Sequence, residues 1–154
     1  MTIENRSGAV KAEIRSVLYV GANHDELVSL RRILPAALWR AQHALTATAA
    51  IRELRLVNYD VVLCEKELED ATWAEILEIV AGVPAGPVLV VASLFADEQL
   101  WAEALNLGAY DVLAKPFEAA EVNRVLLSAS RFRERRRPTR ATPQTVAAAF
   151  AVNG

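Results

Sequence analysis

Several features are missing from this chain of 154 residues, and each absence excludes a class of protein. Cys64 is the only cysteine, so an internal disulfide cannot form and a reducing compartment is expected. No apolar run approaches the roughly 20 residues that a helix needs to cross a bilayer. The first 15 residues lack the apolar core of a signal peptide. The sequence therefore predicts a cytoplasmic protein without a membrane segment.

Motifs for cofactors and catalysis are also absent. Neither G-x-G-x-x-G nor G-x-x-x-x-G-K-[ST] occurs, so no motif supports nucleotide binding. His24 and His43 have no cysteine or carboxylate at a ligand spacing, which argues against a metal site. Cys64 stands among apolar strand residues and is expected to lie in the core rather than to act as a nucleophile. The sequence therefore predicts no cofactor, no metal ion and no enzymatic activity.

Charge is unevenly distributed along the chain. Residues 131–140 hold six of the 17 basic residues and one of the 19 acidic ones, whereas residues 1–130 hold 11 basic and 18 acidic residues. An acidic body with a net charge of −7 and a basic tail is not the charge pattern of a nucleic-acid-binding domain, so a nucleic-acid partner is not expected. The basic run Arg131–Arg137 is interpreted as a solvated helix end, where cations suit the helix dipole.

The residues that are present alternate between the two periods of regular secondary structure. At 53% hydrophobic residues, the chain can bury one real core. Short apolar runs predict strands at Val17–Val20, Arg40–Leu45, Tyr59–Cys64, Pro87–Ala92 and Tyr110–Ala114. Spacings of three, four and seven predict helices from Asn23 to about Leu38, over Ala47–Leu54, from Asp70 through Val80, from Asp97 to Leu107, and after Pro116. The expected N-cap residues are Asn23, Asp70 and Asp97, and Gly108 is expected to end the fourth helix.

Five strands that alternate with five helices predict an α/β fold with a doubly wound parallel sheet. Continuous apolar strands such as Pro87–Ala92 indicate that helices cover both faces of the sheet. In such a fold, ligands bind at the carboxyl ends of the strands. The domain is expected to span residues 16–137, between an N-terminal extension (1–15) and a C-terminal tail (138–154).

Two segments at these strand ends carry a family resemblance. YDVVLCEKEL and GAYDVLAKPF resemble the third and fifth strands of response-regulator receiver domains, the CheY-like family, and the resemblance extends over about residues 16–130. It agrees with a flavodoxin-like sheet of strand order 2-1-3-4-5. Receiver chemistry combines a carboxylate that accepts a phosphoryl group, an oxygen-coordinated Mg²⁺, a lysine and a hydroxyl group.

The resemblance implies that most of these parts are missing here. Glu65 stands where the receiver's aspartate would accept phosphate, and Lys115 matches its lysine. The remaining positions are occupied by Gly21 and Ala22 in place of the acidic pair, Ala92 in place of the hydroxyl residue, with Ser93 beside it, and Val112 in place of the switch aromatic. A glutamate carboxylate also lies one C–C bond, roughly 1.5 Å, further from the backbone than an aspartate carboxylate.

These departures predict a pseudo-receiver in signal transduction that acts through a signalling protein partner or a homodimer, without phosphorylation. Glu65 and Lys115 are expected to form an ion pair in the crevice. The alternative for Glu65 alone is a solvated carboxylate at a strand end. Two other functions stay open: a phosphorelay receiver that uses Glu65 as its acceptor, and a small flavodoxin-like enzyme, which the fold alone cannot exclude.

The fourth helix suggests an interaction surface. Leu100, Ala104 and Leu107 form a stripe that can face the sheet, which leaves Trp101 and Leu105 near its edge. Exposed tryptophan often marks a contact patch. Since receivers commonly pair through this helix, the fifth strand and the last helix, the predicted surface comprises Trp101, Tyr110 and the exposed side of 121–128. The alternative is that Trp101 folds into the core.

Overall fold

The computed structural model describes residues 13–136 and contains five strands and five helices. In chain order they are β1 (Arg15–Val20), α1 (His24–Ile33), β2 (Trp39–Ala44), α2 (Ala47–Leu56), β3 (Val61–Glu65), α3 (Trp73–Ala81), β4 (Val88–Ser93), α4 (Glu98–Leu107), β5 (Asp111–Ala114) and α5 (Ala119–Arg136). The predicted C-terminal tail and most of the N-terminal extension lie outside the described residues. Within residues 13–136, no helix is both long and apolar enough to cross a membrane.

The five strands form one parallel sheet in the order β2-β1-β3-β4-β5, which confirms the predicted fold. Val17 of β1 pairs with Val61 of β3, which in turn pairs with Val88 of β4. These central strands are buried on both faces. Continuous apolar segments therefore lie where both faces of a parallel sheet exclude water.

Helices cover the sheet in two layers, and each layer has its own core. One core joins the sheet to α1 and α5 through residues such as Leu30 and Leu126. The other joins it to α2, α3 and α4 through residues such as Ala50, Ile76 and Leu100. Because the strands are all parallel, the polar residues at their carboxyl ends lie at one edge of the sheet.

The predicted role of Asp70 as the cap of α3 is wrong. Thr72 is the N-cap residue of α3, and its side chain makes no capping hydrogen bond. Asp70 instead accepts hydrogen bonds from the backbone N–H groups of Ala47 and Thr48, at 2.8 and 3.1 Å, and from the Thr48 hydroxyl at 2.9 Å. These backbone bonds lower the pKa of Asp70. Thr46 is the N-cap residue of α2, and Asp70 adds further acceptors at the same helix start, which anchors the β3–α3 loop to α2.

Two further predictions about helices need correction. Helix α1 ends at Ile33, not near Leu38, because Pro35 cannot continue the helix. In α4, Leu100 and Ala104 are buried as predicted, but Leu107 is 52% exposed since it lies in the last turn, beyond the edge of the packed surface.

The basic end of α5 is not uniformly solvated. Arg133 is only 7% exposed, and its Nη1 lies 2.8 Å from Asp60 Oδ1. The same guanidinium donates to the carbonyl oxygen of Ala85 at 3.0 Å. The other oxygen of Asp60 accepts the backbone N–H of Ser16 at 2.8 Å. Arg133 therefore fastens the end of α5 to the amino-terminal edge of the sheet.

Candidate functional site

The carboxyl ends of β1, β3 and β5 bring the predicted site residues to one edge of the sheet. Glu65 is the last residue of β3, and Lys115 directly follows β5, at a cis peptide bond to Pro116. Lys115 Nζ lies 2.8 Å from Glu65 Oε1. Both side chains are mostly removed from solvent, with exposed fractions of 11% for Lys115 and 13% for Glu65.

A second carboxylate, which the sequence reasoning missed, also contacts the lysine. Glu26, in the first turn of α1, places Oε2 3.0 Å from Lys115 Nζ, and its side chain is 18% exposed. Burial alone lowers the pKa of Lys115, but the hydrogen bonds and charges of Glu65 and Glu26 outweigh burial, so the pKa is raised. The ammonium group is therefore held in its charged form between two carboxylates.

Tyr19 contacts the cluster from the core of the sheet, and the sequence reasoning did not identify it. Its side chain is fully buried in β1, and its hydroxyl donates to Glu65 Oε2 at 2.6 Å. Burial, together with the hydrogen bond to the Glu65 carboxylate, raises the pKa of Tyr19 well above its usual value. Glu65 therefore uses one carboxylate oxygen for Lys115 and the other for Tyr19. We call Tyr19, Glu26, Glu65 and Lys115 the crevice cluster.

Strand alternation contains a signal for Tyr19. Residues two apart in a strand face the same side, so Leu63 and Glu65 share a face of β3. Tyr19 pairs with Leu63 in the parallel register, and it lies on that same face of the sheet. The sequence signal for Glu26 is weaker, because an acidic residue in the first turn of a helix is also common for reasons of the helix dipole.

Gly21 and Ala22 supply no polar group where they follow β1. A Cβ atom at Gly21 would lie 2.6 Å from both Glu65 Cγ and the Tyr19 hydroxyl oxygen, so no side chain fits there in this arrangement. Ala22 is exposed at the rim. Asn23, as predicted, caps α1 by accepting the backbone N–H of Asp25 at 2.9 Å.

Ala92 and Ser93 end β4 beside the cluster but face opposite sides of the sheet. Ala92 is buried in the core that contains Tyr19. The Ser93 hydroxyl accepts the backbone N–H of Phe95 at 3.1 Å and lines an open crevice of about 290 Å³ with Glu65 and Lys115. This crevice therefore brings a hydroxyl, a carboxylate and the lysine together where the site opens to solvent.

The two histidines lie close to each other, and His43 lies beside Tyr19 of the crevice cluster. The rings of His24 and His43 are 5.7 Å apart, and His43 Nε2 lies 2.6 Å from the carbonyl oxygen of Gly21. Within residues 13–136, no group of three or more His, Cys, Asp or Glu side chains is arranged to hold a metal ion. Cys64 is fully buried in β3, and burial raises the pKa of its thiol to about 12.

The two residues of the predicted interaction surface differ in exposure. Trp101 is 50% exposed on α4, so it does not fill the core. Tyr110 is partly buried, its hydroxyl is hydrogen-bonded to Ser128 of α5, and its ring lies 5.3 Å from that of Phe132. Arg136 in turn lies over the Phe132 ring, 5.5 Å from its centroid. Trp101 is therefore the more available of the two for a partner.

Similar structures come from several microorganisms. A signal receiver domain of an HD domain-containing protein from Pseudomonas fluorescens Pf-5 shares 22% identity at a TM-score of 0.67, covering 79% of this chain and 98% of that one. A CheY-like receiver domain protein from Methanospirillum hungatei JF-1 shares 18% identity at a TM-score of 0.67, covering 80% and 98%. A response regulator receiver domain protein from Clostridium thermocellum shares 19% identity at a TM-score of 0.69, covering 79% of this chain and 98% of that one. These likenesses support the fold.

The sequence itself gives the family. No curated protein sequence matches the chain. The model of the response regulator receiver domain, however, matches residues 17–126, from β1 to the middle of α5, and this region includes every member of the crevice cluster. The chain belongs to the response regulator receiver domain family.

Proposed function

We propose that this domain is a cytoplasmic pseudo-receiver, which transmits signals by protein contact without being phosphorylated. One observation carries the proposal: both carboxylate oxygens of Glu65 are engaged, Oε1 by Lys115 and Oε2 by Tyr19. A carboxylate must offer a free oxygen to attack a phosphoryl group. Here such an attack requires the carboxylate to give up one of its two hydrogen-bond donors, either the charged Lys115 or the neutral Tyr19.

The position of the lysine supports the same proposal. In phosphoryl transfer, a cationic side chain stabilises the transferred group by contact with its oxygens. Lys115 already contacts two carboxylates, Glu26 and Glu65, whose combined charge exceeds its own. An incoming phosphoryl group would have to replace one of them while it faces the negative charge of the other. The cluster therefore favours a single, permanently paired state.

The test is incubation of the whole chain with acetyl phosphate and Mg²⁺, followed by measurement of its intact mass. We expect no stable gain of one phosphate. The matched control is Glu65→Gln, which keeps the shape of the side chain and removes its nucleophilic carboxylate. A mass gain that occurs in the native chain and disappears in this variant would overturn the proposal. It would establish the second candidate, a receiver that uses Glu65 as its acceptor.

For the contact surface, we propose the exposed side of α4 around Trp101, together with the neighbouring side of α5. Trp101 is a large aromatic residue, and half of its surface remains in solvent. Sedimentation of the native chain and of Trp101→Glu tests whether a second copy is the partner. We expect a self-association that the substitution abolishes while the circular-dichroism spectrum is unchanged. A chain that is monomeric at high concentration would remove homodimerisation from the proposal and leave a different protein as partner.

A further inference from the structure

A side chain at position 21 would need space that the side chain of Tyr19 already occupies. Tyr19 and Gly21 lie two residues apart, at the end of β1, and their positions converge on Glu65. A Cβ at position 21 would lie 2.6 Å from the Tyr19 hydroxyl oxygen, 2.9 Å from the ring carbon that bears it and 2.6 Å from Glu65 Cγ. Gly21 is not among the residues with positive φ, so it is required by lack of space rather than by backbone conformation.

The phenol of Tyr19 also decides whether Glu65 has an oxygen available for a cation. Its hydroxyl donates a hydrogen bond to Glu65 Oε2, the carboxylate oxygen that Lys115 does not contact. Since Mg²⁺ and similar cations bind through several oxygen atoms at once, a site here needs that oxygen and a second ligand nearby. The carboxylate of Glu26 already contacts Lys115, so a further ligand would have to come from position 21, which directly follows β1 beside Glu65.

We propose that Tyr19 and Gly21 act together as the determinant that keeps divalent cations out of the crevice. Tyr19 occupies the available oxygen of Glu65, and its phenol, together with Glu65 Cγ, leaves no room for an acidic side chain at position 21. The ammonium of Lys115, between Glu26 and Glu65, then supplies the only positive charge that the carboxylates receive in the described part of the chain. This inference rests on the proposed function, because it explains why the crevice holds no phosphorylation chemistry.

The experiment compares four variants of the full chain: Gly21→Asp, Tyr19→Leu, the double variant and Ala22→Asp. The last is the matched control for stability alone, because it adds the same charge at the adjacent, exposed position. We expect Gly21→Asp to lower the thermal midpoint well below that of Ala22→Asp. Adding Tyr19→Leu should restore part of the loss, so that the double variant is more stable than the two single effects predict.

Cation binding is measured separately, with Mn²⁺ as the probe and electron paramagnetic resonance of the free ion as the readout. We expect the double variant to bind Mn²⁺ at least tenfold more tightly than the native chain. Should the double variant fail to fold, Tyr19→Leu alone must still bind Mn²⁺ more tightly, because it frees Oε2 of Glu65.

Three results would overturn the inference. Gly21→Asp could be as stable as Ala22→Asp, which would mean that position 21 has room. Gly21→Asp could bind Mn²⁺ while Tyr19 is retained. The double variant could recover stability without any gain in Mn²⁺ affinity, which would make the pair a matter of packing alone. None of these results depends on acetyl phosphate, so the inference and the proposed function can fail independently.

Discussion

Removal of Lys115 should destabilise the domain more than removal of either of its partners. Lys115→Met takes the only ammonium from between Glu26 and Glu65, whose side chains are 18% and 13% exposed. Breaking a buried ion pair from one side costs about 3–5 kcal/mol, because a charge stays buried without compensation. The crevice is open to solvent on one side, so we expect about 3 kcal/mol, the lower end of that range.

Glu65→Gln should cost much less. The lysine keeps Glu26 at 3.0 Å, and the amide oxygen can still accept the hydroxyl of Tyr19. We expect a loss of about 1 kcal/mol, the size of one hydrogen bond that is weakened rather than removed. In the variant with both substitutions, the loss should be smaller than the sum of the two.

Urea denaturation measures these free energies, with Lys66→Met as the matched control. Lys66 is an exposed lysine one residue after Glu65, so its removal should change stability by less than about 0.5 kcal/mol. Equal losses for Lys115→Met and Glu65→Gln, or strictly additive losses, would refute the argument that one cation serves two carboxylates.

The pH dependence gives an independent check with a definite sign. The pKa of Lys115 is higher in the folded state than the usual value of 10.5. Its contribution to stability is therefore complete below the unfolded pKa and is lost as the pH rises through the folded one. The stability difference between the native chain and Lys115→Met should be constant from about pH 6 to 10 and shrink only at higher pH.

Two further predictions use residues outside the crevice. Asp70→Ala should lower the thermal midpoint at neutral pH, and the difference from the native chain should vanish in acid. Because the pKa of Asp70 is lowered from its usual 3.8, the hydrogen bonds of its carboxylate stabilise the fold above pH 3.8 and are lost as the pH falls through the folded pKa. A difference that persists in strong acid would contradict this. Cys64, with a pKa of about 12 and no exposed surface, should resist iodoacetamide in the folded chain and react in urea; rapid labelling of the native protein would show that β3 opens.

Periodicity predicted the architecture because each layer of this fold leaves a local trace in the sequence. A strand such as Val88–Ser93, buried on both faces, must be apolar throughout, and a helix such as α5 must show an apolar stripe. Gly108 ends α4 in the left-handed conformation, at a φ of 113°, as a glycine after a helix predicts. These features depend on residues within one turn or one strand of each other.

The partners of polar side chains could not be predicted in the same way. Asp70 has the right residue type and position to cap α3, yet it accepts the N–H groups of Ala47 and Thr48 at the start of α2, 23 and 22 residues earlier in the chain. Both uses satisfy free N–H groups at a helix start, and only the tertiary structure decides between them. Glu26 joined the crevice cluster for a similar reason, since its side chain reaches across to β5 from a position that also suits the helix dipole.

Arg133 shows a signal that the charge pattern hid. It follows Val122, Val125, Leu126 and Ala129 at helical spacing, so it continues their buried stripe. Its neighbours in the run, Arg131 and Arg135, lie on the exposed side. The charge pattern alone predicts one solvated surface, whereas the helix period divides the basic residues into inward and outward positions.

The inward position of Arg133 also bears on how far the chain can be shortened from its C-terminal side. A chain shortened to end at Leu126 would retain every residue that the family model matches, yet it would leave Asp60 without the guanidinium 2.8 Å away. It would also lose Glu134, which lies 3.3 Å from Arg15 at the start of β1. We therefore expect a chain that ends at Leu126 to hold its first strand less firmly than one that keeps the last turn of α5.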